Sequence, residues 1–137
     1  MSIVQQVRDN LAADATLAAL LTGGVHVAAE VSRQLTPDAF DADSELRPCG
    51  LVTMASDGPD GPTAIAGRML VNVWLYHATS DAANATAVAR VRTLLHRTVL
   101  PGTYEARWVF DAPPFEEDAL RARGAVTRYE VIRRLAG

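Results

Sequence analysis

The side chains able to carry chemistry are few and scattered. Three histidines, His26, His77 and His96, fall on three different predicted elements. A metal needs several ligands converging on one point, and a general base needs its proton donor within hydrogen-bond reach. Nothing in the spacing of the histidines arranges either. Asp41, Asp43 and Glu45 alternate as in a calcium loop, but Leu46 stands where the glycine belongs and Val52 where the bidentate glutamate belongs. Glu116, Glu117 and Asp118 form a second acidic run. Paired carboxylates can act as acid and base, yet no nucleophile stands beside these three, so they read as a charged surface loop. With no lysine in the chain, a phosphate-binding P-loop is excluded. There is no Gly-x-Ser-x-Gly elbow and no His-Glu-x-x-His helix. The expectation is therefore no catalytic residue, no cofactor, no metal and no enzyme.

Composition narrows the class further. The chain has 137 residues, 49% hydrophobic and 21% charged, which suits one globular domain over residues 1–137. Its formal net charge is −3, against the basic excess of a general nucleic-acid binder. All 13 basic side chains other than histidine are arginine, a type suited to two-point carboxylate contacts. Cys49 is the single cysteine, which excludes an intrachain disulfide, and its place at the start of an apolar run predicts a buried thiol. The first residues, MSIVQQVRDN, lack the basic start and apolar core of a signal peptide. Without one, the sequon Asn84-Ala85-Thr86 is discounted. No apolar run is long enough to cross a bilayer.

These residues are carried on a regular alternation of elements. Ser2 caps a predicted helix bearing Val4, Val7 and Leu11, and Asp14 a second turn bearing Leu17, Leu20 and Leu21, stopped by Gly23-Gly24. Val25 to Val31 reads as a strand. Ser32 to Pro48 reads as a long polar loop with one helical turn near Asp38 to Phe40. Cys49 to Ser56 is a strand, Asp57 to Thr63 a Gly/Pro loop, and Arg68 to His77 a strand about 33 Å long. Ser80 caps a helix from Asp81 to about Val99 whose apolar stripe is Val88, Val91, Leu95 and Val99, ended by Pro101-Gly102. Thr103 to Asp111 alternates, with Tyr104, Ala106, Trp108 and Phe110 predicted on one face and Trp108 and Phe110 in the core. A last strand covers Ala122 to Arg134. The predicted class is α+β: a mainly antiparallel sheet of about five strands with two main helices, in the order α-β-β-β-α-β-β.

The strand Arg68 to His77 is apolar on both faces. Met69, Val71, Val73 and Leu75 make one face; Leu70, Trp74 and Tyr76, with Arg68 and Asn72, make the other. A sheet wet on one side would alternate apolar with polar. Either a helix covers each face, or the second face packs on another subunit, where Trp, Tyr and Arg are enriched. The preceding loop, Asp57, Gly58, Pro59, Asp60, Gly61 and Pro62, is stiff and acidic and suits an element that reaches a neighbour.

The layout resembles the tail-terminator, or tail-completion, proteins of long-tailed bacteriophages. The likeness rests on VRDNLAADATLAALLTGGVHV at the start, on Pro48 leading CGLVTMAS, on MLVNVWLYHATSDAANATAVARVRTLLH, and on the final RYEVIRR. It covers nearly the whole chain through the order and spacing of elements. The resemblance implies a structural virion protein of the tail-neck region, assembled in the host cytoplasm as a ring, usually hexameric. Such a ring caps the tail tube, contacting the major tail tube protein, and then docks to the head-closure and connector proteins. DNA passes through the lumen, where little basic charge would hold it; no membrane is involved. The interface candidates are then Asp57 to Pro62, Arg68, Leu70, Trp74, Tyr76, Glu116, Glu117 and Asp118. The alternatives are a neighbouring neck component, such as a head-closure or adaptor protein, and a small ligand-binding or enzymatic α+β domain.

Overall fold

The computed structural model describes residues 2–59 and 66–134. Two short helices open the chain, α1 (Ile3–Ala12) and α2 (Ala15–Leu20). Their caps are those expected from the residue types. Ser2 accepts from the Gln5 amide at 3.2 Å, and Asp14 from the Leu17 amide at 2.8 Å. Gly24, at φ 83°, turns the chain into β1 (Val25–Val27), which is shorter than the strand expected to Val31. After a long segment come β2 (Cys49–Pro59) and β3 (Ala66–His77), then α3 (Asp81–Leu95), β4 (Thr103–Asp111), β5 (Phe115–Glu117) and β6 (Ala122–Arg134).

The class is α+β, as expected. The sheet has six strands in the order β1-β2-β3-β6-β4, with β5 also paired to β6. Only β1 runs parallel to its neighbour, β2; the other pairings are antiparallel. β5 was not expected, because APPFEED has the composition of a loop. It forms because Phe115 lies across Gly124, where even a Cβ would come within 2.4 Å of the ring. α3 stops at Leu95 rather than near Val99. Its cap is His96, and Arg97 turns to φ 64° so that its amide donates to the Ala106 carbonyl at 2.7 Å. Val99 is therefore exposed rather than part of the helix stripe.

All three helices pack on one face of the sheet. Val7, Leu11, Leu17, Val91 and Leu95 meet Met69, Val71, Val73 and Leu75 in the main core. Two contacts lock the helices together and to the sheet. Arg90 of α3 grips the Asp14 carboxylate through two nitrogens at 2.9 and 2.7 Å. Arg123 of β6 grips Asp81 at the start of α3 at 2.9 and 3.1 Å. Asn84 is buried and donates to the Arg123 carbonyl, so the sequon asparagine is part of the interior.

Among the described residues no helix covers the second face of the sheet over its length. One end carries a smaller core, in which Val31, Ala39 and Phe40 pack on Cys49, Leu51 and Tyr76. The Ser32 to Pro48 segment is thus an ordered cover, held by a 3-10 turn (Pro37–Ala39) and by the Asp41 carboxylate. That carboxylate accepts from the Asp43 and Glu45 amides at 2.8 and 3.0 Å. The alternating acids serve a local turn.

Candidate assembly surface

Among the described residues no segment lies over the other end of this second face, beside the β2–β3 ladder. β3 turns Arg68, Leu70, Asn72 and Trp74 to this face, Arg68 exposed, Leu70 half-buried, Asn72 buried and Trp74 half-buried against the smaller core, and the register sets Ile132, Glu130, Arg128 and Val126 of β6 beside them. Arg68 reaches Glu130 at 3.2 Å. Arg128 donates to Asn72 at 2.7 Å and lies over the Phe110 ring at 5.0 Å. Trp74 donates its indole N–H to Thr53 at 2.9 Å and meets Phe115 edge to face. The polar members of this face satisfy one another laterally, and Glu130 and Ile132 line a hollow of about 500 Å³ together with Val99, Tyr104, Glu105 and Arg107.

The interface candidates fare differently. Arg68, Leu70, Trp74 and Tyr76 do share one face. Tyr76, however, is only 6% exposed, roofed by its own chain and by Phe115. Burial pushes its phenol up to about 12. It belongs to the smaller core and does not face outward. The backbones of Asp57, Gly58 and Pro59 continue β2, paired with Met69, Arg68 and Gly67, so the hairpin ladder is longer than expected. Asp60, Gly61 and Pro62 lie outside the described residues. Glu116 and Glu117 sit on β5 opposite Arg123 and Ala122, and Asp118 opens the turn into β6.

The edge strand β4 is where sequence reasoning erred. Trp108 and Phe110 are 38% and 40% exposed, not core. A bulge between them breaks the alternation. Trp108 pairs with Tyr129 on the helix face, where the Arg92 guanidinium lies 4.3 Å above its ring, whereas Phe110 pairs with Arg128 on the second face. The indole N–H donates to Asp111 at 2.9 Å, and Asp111 also binds Arg92. An aromatic at alternate positions of a strand gives no warning of a bulge.

The remaining chemistry is structural. His26 shares a hydrogen bond with the Gly23 carbonyl at 2.7 Å. His77 Nδ1 accepts from the Thr79 and Ser80 amides, and His96 Nδ1 from the Trp108 amide. Cys49 is buried, and burial raises its thiol to about 12. Among the described residues no three His, Cys, Asp or Glu side chains are grouped to hold a metal. A cleft of about 260 Å³ opens between α3 and the β4–β5 junction. Its charged rim is already paired, Asp81 with Arg123 and Asp111 with Arg92.

No protein-family model matches the chain, and no curated protein matches it. Solved structures do. A chain from the virion of a native gene transfer agent particle superposes with a TM-score of 0.65, over 98% of this chain and 96% of that one. The two share a fold. Their sequence identity is 15%, so the likeness is in the arrangement of elements from end to end.

Proposed function

We propose that this chain is a structural virion protein that forms a ring, a hexamer, capping the tail tube and joining it to the head connector. The observation that carries the reading is the near end-to-end match in fold with a chain of a gene transfer agent virion. The open end of the second face, the long β2–β3 hairpin and the exposed aromatic edge supply surfaces of the kind a ring subunit needs. In this reading the partners are further copies of the chain, the major tail tube protein and the head-closure proteins, and DNA traverses the lumen. The place of action is the tail-neck region of the virion.

Negative-stain images of the purified protein test the ring directly. Closed six-fold rings are expected, and a monomer at all concentrations would overturn the reading. The hairpin is assigned to reach a neighbour or the tail tube. Replacing Gly58 to Pro62 with Asn-Gly removes two ladder pairs at the far end of the sheet. Loop tips contribute little to the core, so melting should change little while ring formation or tail completion is lost. A variant that assembles like the parent would reduce the hairpin to a surface loop; one that fails to fold would make it part of the core.

A further inference from the structure

An imidazole stands where β3 gives way to α3. His77, the last residue of β3, is half-buried. Its Nδ1 accepts from the Thr79 amide at 3.1 Å and from the Ser80 amide at 2.9 Å. A ring nitrogen accepts only through a lone pair, so Nδ1 carries no proton and the neutral ring carries its own on Nε2. The two bonds curl the link 78–80 back on the strand and hold Ser80 in place as a cap. Ser80 Oγ then accepts from the Ala83 amide at 3.0 Å, and Asp81, the next residue, is gripped by Arg123 of β6. The first turn of α3 is thus fixed from both sides. Its residues Asp81, Asn84 and Ala85 form a wall of the cleft between α3 and the β4–β5 junction.

The charged groups around the ring are committed elsewhere. Arg123 is the register partner of His77 on β6, and its charge is met by Asp81 at the start of α3. On the other side β2 begins at Cys49, with uncharged Pro48 before it. Ala78, next along the chain, lines a hollow with Arg33, Glu45 and Arg121. Among the described residues no ion pair involves His77. What the ring does is therefore decided by the two amides that point at it.

We infer that His77 is an acid-released latch on α3. While the ring is neutral, Nδ1 holds the link and the cap. A proton on Nδ1 removes both bonds at once and leaves two amide donors facing a third. The unfolded chain has no such bonds to lose and takes the proton freely, so acid favours release. Release belongs to the range in which a histidine ordinarily gains its proton, about pH 5 to 7. Asp14, held at about 2, keeps its charge throughout that range.

The test is amide exchange of the full chain, followed by NMR at about pH 7 and about pH 5. His77→Asn places an oxygen where Nδ1 stands and takes up no proton in this range, so it keeps the two bonds and removes the switch. Compared at equal pH, parent and variant should exchange Thr79 and Ser80 alike at about pH 7, and the parent about ten-fold faster or more at about pH 5. His77→Leu should lose the protection at both. Equal exchange in the parent and His77→Asn at both values would overturn the inference. The ring gives a second reading should the asparagine oxygen fail to reach the amides: its nitrogen shifts in the parent should show Nδ1 gaining a proton together with the loss of protection. Proton gain with Thr79 and Ser80 still protected would also overturn the latch. His96, whose Nδ1 accepts from the Trp108 amide at the other end of α3, is the control. His96→Asn should leave the response at Thr79 and Ser80 unchanged; its abolition there would take the latch away from His77.

Discussion

β3 and β4 look alike as sequences: each is rich in large apolar and aromatic residues, and each reads as a strand that belongs in a core. β3 lies between β2 and β6 and is paired along its length, so its four residues Met69, Val71, Val73 and Leu75 are sealed beneath the helices. β4 has β6 on one side and only the short segment after α3 on the other. Of its apolar residues only Ala106 is fully buried, and two bulges turn the rest outward. The difference teaches that aromatic content does not measure burial. Neighbours on both sides make a strand a core element. At an edge the same residue types become surface, held by guanidinium stacking rather than by enclosure.

Four measurements press on that contrast. The largest effect is expected beneath β3, where Leu95 of α3 is buried. Leu95→Ala should cost about 2–5 kcal/mol, the usual range for an emptied leucine site. An unchanged denaturant midpoint would show that the helix face is not the principal core.

Next comes the smaller core on the second face. Gly124→Ala drives a methyl into the Phe115 ring and should cost about 1–3 kcal/mol, with a change in Trp74 fluorescence as the aromatic group shifts. Stability and fluorescence both unchanged would mean that β5 adds nothing to the sheet.

A smaller change is expected from Asp14→Asn, which weakens the tie between α2 and α3. The hydrogen bonds from Arg90, with that from the Leu17 amide, hold the Asp14 carboxyl at about 2, below its ordinary value of 3.8. A depressed folded value means that this contribution is complete above the ordinary value and is lost as pH falls towards about 2. The melting temperatures of parent and variant should therefore differ at neutral pH and converge in that acid window. A constant difference down to the lowest pH would contradict the pairing.

The smallest losses belong to β4. Trp108→Ala and Phe110→Ala each remove one exposed stack on arginine and should cost roughly 0.5–1 kcal/mol. A loss as large as that of Leu95→Ala would erase the distinction between the two strands.

Much of the architecture was legible in the residues. Ser2, Asp14 and Ser80 cap helices through bonds each makes within three residues, so local chemistry suffices. The helix-facing side of β3, Met69, Val71, Val73 and Leu75, is legible as an unbroken apolar row and is buried as such. Less of the candidate surface was readable. Arg68, Leu70 and Trp74 were placed on one face, but that their neighbour Tyr76 is roofed by Phe40 and Phe115 depends on segments far along the chain. Nothing near Arg90 in the sequence points to its partner, Asp14, which lies 76 residues earlier.

The sequence by itself determined where helices begin, which strands alternate, and that acidic residues concentrate in the first part of the chain and arginines in the second. Those properties depend on residue type and near neighbours. Only the tertiary structure decided that β4 is an edge, that its bulge sends Trp108 and Phe110 to opposite faces, and that Phe115 closes over Gly124 to make β5 a strand. Those outcomes depend on which strands pair and in what register. Register is set by the summed fit of residues separated by tens of positions, a quantity no local stretch contains.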